Sequence, residues 1–251
     1  MVEWEGKEAD TQGLTKIYAD FFWSQRKKIA REVVRRLDGK AEKREYLDWT
    51  FLVKPTQKRL AEVGSRAAQG ALGQLRITDE GIVQQADEAA ADYAEDRAAE
   101  LVGMKWLDGR LVENPTAAYA ITDATRDAIN DLVSTAVSEG WAPRRLASAI
   151  EEAAVFSDAR ADMVARTELA FAHSNGNFEG WKASGVVEGK QWLVAGAPCE
   201  DCVANEAAGV IGLEDEFPSG DAMPPAHPNC ECDVAAVLGD QAEAYGGLDG
   251  D

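Results

Sequence analysis

The sequence predicts a mainly α-helical chain that closes in a small α+β module: a helical amino-terminal region, a short antiparallel sheet and a cysteine-pinned loop. Three observations carry this. Apolar residues recur at three- and four-residue steps through most of residues 14–183, the period of a helix face. Only after Gly185 do short strand-like runs appear, at Lys190–Val194 and Asp233–Leu238. Between those runs lie all four cysteines and five of the eight prolines.

Taken in order, Ile17, Phe21, Ile29, Val33 and Leu37 define a helix over residues 14–38, with Gly39 as its stop. A short apolar segment around 47–53 is closed by Pro55. A helix over 56–75 follows, weakened by Gly64, Gly70 and Gly73, each costing up to about 1 kcal/mol against alanine. Thr78 or Asp79 caps a helix over 82–102, broken by Gly103 and Asp108-Gly109. Helical spacing resumes over 118–138 and ends at Gly140. Pro143, in a first turn where a missing N–H costs little, opens a short helix to Ala153. Ser157-Asp158 opens a long helix, 159–183. The divisions expected are a basic helical region 1–76, a helical body 77–154, the α+β module 155–238 and a flexible acidic tail 239–251.

The chain has 251 residues, 45% hydrophobic and 28% charged, ample for a buried core. No run of about 18 apolar residues exists, so no membrane-spanning helix is expected. Met1-Val2-Glu3-Trp4-Glu5 lacks the apolar stretch of a secretory signal, which favours a reducing compartment. The net charge of −19 hides an asymmetry. Residues 1–76 carry 16 Lys+Arg against 11 Asp+Glu; residues 77–251 carry 10 against 34. The basic excess gathers at Arg26, Lys27, Lys28, Arg31, Arg35, Arg36, Lys40, Lys43 and Arg44. That pattern suits docking on an acidic partner or on packaged DNA, or simply a solvated helix face.

The strongest chemical signal is Cys199-x-x-Cys202 followed by His227-Pro228-Asn229-Cys230-Glu231-Cys232. It offers five soft donors, one more than a tetrahedral zinc needs. A structural, closed zinc site would stand in for the hydrophobic core that a proline-rich segment cannot build. The best ligand set is Cys199, Cys202 and Cys230 with either His227 or Cys232. Two disulfides, or reduced thiols at turns, are the alternatives. A zinc-deaminase reading fails because His173-Ser174-Asn175 lacks the proton-shuttling glutamate of H-x-E. No phosphate-binding loop, GxSxG or HExxH is present, and no catalytic residue is assigned. Arg166 and Glu168, two apart on a helix, do not face each other, so each meets another group, such as the cysteine loop, or is a solvated charge. Trp181 and Trp192 are expected in the core.

The order Arg166-Thr167-Glu168, Gly176, Gly185, Trp192, Cys199/Cys202 and Pro224-Pro225-Ala226-His227-Pro228-Asn229-Cys230-Glu231-Cys232 resembles the phage Mu F-like minor head protein (head morphogenesis) family. The resemblance spans about residues 115–238 and is tightest over 160–238. Two positions depart from the family pattern: Glu231 stands where arginine is common, and Ala195-Gly196-Ala197-Pro198 replaces an aspartate before the CxxC. The resemblance implies a low-copy head component, located in the virion and in the host cytoplasm during assembly. Its partners would be the portal protein and/or the major capsid or scaffold protein. Because related domains occur fused to toxin or ADP-ribosyltransferase modules, the competing expectation is a zinc-dependent or ADP-ribosylating enzyme.

Overall fold

The computed structural model describes residues 4–37 and 49–239. Gly39 and most of the acidic tail, residues 240–251, lie outside the described residues, as do Lys40, Lys43 and Arg44. The chain is mainly helical with a small antiparallel sheet near its carboxy-terminal end, as the sequence predicts.

The elements are α1 (Lys7–Leu37), a 3-10 turn (Thr50–Leu52), α2 (Val53–Gln74), α3 (Glu80–Glu100), β1 (Met104–Leu107), β2 (Arg110–Glu113), α4 (Ile121–Glu139), α5 (Pro143–Glu151), a 3-10 turn (Ala154–Phe156), α6 (Asp158–Ser184), β3 (Val187–Leu193), α7 (Glu200–Ala207), β4 (Val210–Gly212) and β5 (Asp233–Leu238). Two compact units interleave along the chain rather than follow one another. One takes residues 1–10, 58–94 and 166–251; the other takes 11–57 and 95–165.

Several boundaries differ from expectation for physical reasons. α1 starts at Lys7 because Glu8 and Asp10 complement the positive helix end, although the apolar stripe begins only at Leu14. Pro55 does not close the segment before it. It sits in the first turn of α2, where no backbone N–H is missed. Asp79 is the cap of α3, its Oδ1 accepting from the N–H groups of Gly81 and Ile82. Asp108-Gly109 is a hairpin turn as well as a break. Both residues have positive φ (50° and 70°), as a type I′ turn requires, and they join β1 to β2 with Leu107 opposite Arg110.

The second unit has an aromatic core. Tyr18, Phe22 and Trp49 are buried, and the Phe21 and Trp49 rings meet edge-on at 5.0 Å. Arg160 is enclosed there. It donates to Thr125 Oγ1 (2.8 Å), Val155 O (2.7 Å) and Ile121 O (3.0 Å), and burial lowers its pKa to about 10.

The first unit is built on close helix packing and the sheet. A Cβ on Gly176 of α6 would overlap the Gly64 carbonyl oxygen of α2 and come within 2.9 Å of Ala67 Cβ. Gly64, which weakens α2 by propensity alone, is thus half of a glycine-on-glycine crossing. The sheet has order β4-β3-β5, all antiparallel, with Lys190 opposite both Ile211 and Ala236 and Trp192 opposite Val234. Trp181, Val187, Leu213 and Val234 form its core with Ala71 of α2.

Candidate metal centre

The stretch between β3 and β5 is more regular than its prolines suggest, since it holds α7 and β4. The CxxC makes that helix. Cys199 is the N-cap of α7, and its Sγ accepts from the Cys202 N–H at 3.5 Å. One turn on, Cys202 is fully buried and faces the same way. Asn205, a further turn along the same buried face, is also fully buried and anchors this helix. Its Oδ1 accepts from the Ser219 N–H (3.0 Å) and its Nδ2 donates to Ser219 Oγ (2.9 Å).

The second donor group comes from a tight turn in which the Cys230 N–H returns to His227 O at 3.0 Å. Asn229 closes it with φ of 61°, a left-handed conformation that asparagine tolerates better than other residues with a Cβ. The Asn229 N–H donates to Thr167 Oγ1 at 3.1 Å, across 62 positions of sequence. Thr167 of Arg166-Thr167-Glu168 thus reaches the cysteine loop. Thr167 and Glu168 are buried on α6, and Arg166 is exposed.

The donor atoms converge on Cys202. Its Sγ lies 3.7 Å from His227 Nε2 and 3.7 Å from Cys230 Sγ. Cys199, Cys202 and His227 form one group of donor atoms within 4.8 Å of one another, and Cys202, Cys230 and Cys232 form a second. Two thiolates on a tetrahedral zinc at about 2.3 Å stand about 3.8 Å apart, and a thiolate and an imidazole about 3.6 Å. The observed separations fit both. His227 Nδ1 lies 2.9 Å from Pro228 O. A carbonyl can only accept, so Nδ1 carries the proton and Nε2 turns its lone pair toward Cys202, the arrangement usual for a metal-bound histidine. All four cysteines are free thiols. The five donors can thus hold a metal ion, with Cys202 common to both groups.

The surroundings are apolar. Trp192, Phe217, Cys202 and Cys232 form one buried cluster, with the two rings edge-on at 5.0 Å. Burial pushes the Cys202 thiol well above the ordinary value and raises that of Cys230, while the Cys202 backbone N–H holds Cys199 below it. A divalent cation reverses the cost for the buried pair, because each thiolate then faces a positive charge instead of an apolar wall.

The basic candidates lie on the second half of α1, in the other unit. Lys27, Lys28, Arg31 and Arg35 are exposed, and Arg26 lies over the Trp23 ring at 5.2 Å. Arg36 pairs with Glu32 at 3.3 Å, and Arg35 approaches the same carboxylate at 3.9 Å, so part of the positive charge is answered locally.

Sequence reasoning missed Lys190. It is fully buried at the centre of β3, with its Nζ making no hydrogen bond and lying 5.4 Å and 5.5 Å from the Phe178 and Phe217 rings. Burial lowers its pKa to about 8. Its place between Gly189 and Trp192 in a predicted strand was the available signal.

No family model, curated protein or solved structure matches the chain.

Proposed function

We propose that this chain is a minor capsid, head-morphogenesis protein of a tailed bacteriophage, with one structural zinc ion pinning its carboxy-terminal loop. The observation that carries the reading is the hydrogen bond from Asn229 N–H to Thr167 Oγ1. The two sequence signatures behind the resemblance, Arg166-Thr167-Glu168 and the His227–Cys232 turn, are held together by it. In this reading Cys199, Cys202 and Cys230 hold the zinc with either His227 or Cys232, drawing on two donor groups that share Cys202. The closed donor set and apolar wall suit a metal that fixes structure rather than one that activates water.

The protein acts in the host cytoplasm during procapsid assembly and stays in the virion. There it meets the portal protein and/or the major capsid or scaffold protein. The exposed cations Lys27, Lys28, Arg31 and Arg35 supply a contact to an acidic surface or to packaged DNA, on a protein whose overall charge of −19 otherwise repels both. The test is incorporation into heads. The triple variant Arg31→Glu, Arg35→Glu, Arg36→Glu, with zinc content and helicity checked as intact, is expected to be absent from purified heads; heads carrying it at the wild-type level overturn the docking role.

A further inference from the structure

The outer edge of β5 opens into a groove of about 790 Å³ within the first unit. Five of the six β5 residues line it on one side. Gly70 and Gln74 of α2 and Asn177 and Trp181 of α6 stand among its other walls.

The ladder fixes which backbone groups face the groove. In an antiparallel pair only alternate residues bond to a given neighbour. The Leu213 N–H donates to Glu188 O at 2.9 Å on the β4 side, so Lys190 also bonds toward β4, while Gly189, Gln191 and Leu193 bond toward β5. Their partners Val237, Ala235 and Asp233 are thereby engaged, and Val234 and Ala236 point outward. Consistent with this, the Val234 N–H is met by Asp233 Oδ1 at 2.8 Å rather than by β3. The Ala236 N–H and the carbonyls of Val234 and Ala236 are left facing the groove, with no further strand pairing to β5 among the described residues.

The size of the space selects the occupant. Six residues of strand extend about 20 Å, so a groove of this volume has a mean cross-section of about 40 Å². One strand, about 4.8 Å by 10 Å, is of that order, whereas a helix about 10 Å across is about twice as large. Charge narrows the choice further. Glu5 and Asp233 line the groove, and the one lining arginine, Arg66, is already bound to Asp10. His173, stacked on Trp4 at 4.6 Å, is neutral at physiological pH, its pKa lowered to about 4 chiefly by burial.

We infer that β5 and the α2/α6 wall form a strand-addition site for an extended segment of a partner protein, with small apolar residues at alternate positions and at least one Lys or Arg. Main-chain hydrogen bonds to Ala236 and Val234 set its register, and the recess at Gly70 takes a side chain from it. This goes beyond the proposed function and stands whether or not that reading holds.

Random nonapeptides displayed on a carrier are selected on the full chain, and the best three are resynthesised for fluorescence anisotropy. Two variants interrogate the site. Ala236→Pro removes the outward N–H, a substitution an edge strand accepts. Gly70→Phe projects into space where a Cβ meets nothing within 4 Å. Both are checked for unchanged helicity and metal content. Peptides that lose about tenfold or more in affinity to each variant, and whose N-methylation weakens binding at every second residue, support the site. Selection of no peptide, equal binding to the variants, or N-methyl sensitivity without a two-residue period overturns it.

Discussion

The aromatic core around Phe22 and the cysteine cluster around Trp192 both centre on edge-on ring pairs at 5.0 Å, yet the chain assembles them by different means. Around Phe22, the Tyr18, Phe21 and Phe22 rings project from one long helix, α1, and Trp49 and Phe51 meet them from the turn before α2. Around Trp192 they sit on a strand and a proline-rich loop, and the other fully buried members of the cluster are the cysteines Cys202 and Cys232. A helical segment brings its own core. A loop of this composition borrows one from sulfur, and from whatever ion the sulfur holds.

Removing the shared donor should break this contrast most sharply. Cys202→Ser is expected to abolish stoichiometric zinc in metal analysis of the purified protein. It should also expose the amides of residues 187–238 to hydrogen exchange while residues 11–37 and 121–139 stay protected, because structural zinc supplies on the order of 10 kcal/mol to small sites of this kind. Full zinc content in the variant would show that Cys202 is not a ligand.

The reciprocal change is Phe22→Ala. It should cost about 3–5 kcal/mol in urea unfolding through the cavity it leaves, with metal content unchanged. A cost below about 1 kcal/mol would mean that the aromatic core is less tightly packed than its burial implies.

Lys190 sharpens the comparison at a smaller scale, because it places a charge beside Phe217 in the sulfur-bearing half. Its folded-state pKa, about 8, lies below the ordinary 10.5, so the folded chain binds this proton more weakly than the unfolded one. Stability from this group is therefore lower below about pH 8 and rises toward pH 10.5. Lys190→Met should raise stability by about 1–3 kcal/mol at pH 7 and flatten the pH dependence above pH 8. An unchanged slope in thermal melts across that range would assign the dependence to other groups.

The contrast also explains what the sequence could disclose. The long helices were legible because their periods are long, and β5 was placed at Asp233–Leu238 because it is a run of small and β-branched residues bounded by turns. The β1–β2 hairpin was not, since four-residue strands reading Met-Lys-Trp-Leu and Arg-Leu-Val-Glu are too short to show alternation. In the site, residue types and spacing pointed to the five donors. Sequence could not show that Cys202 is common to both donor groups, that Cys199 caps a helix, or that Thr167 bonds to the loop. Each of these depends on a contact between positions far apart or on a cap whose geometry no residue name carries. Gly176 is the reverse case: a helix weakness by propensity, and a requirement once the Gly64 carbonyl lies against it.

The interleaving of the two units has a consequence for how the protein is made. The unit containing residues 11–57 and 95–165 has its last residue at Ala165, whereas the other waits for everything after Arg166. During translation, at about 5–20 residues per second, the aromatic core has all its parts while the segment at 58–94 still lacks α6, the sheet and the thiols. The ribosome thus completes the aromatic half first, and the half with the thiol cluster only once Cys232 and β5 have emerged.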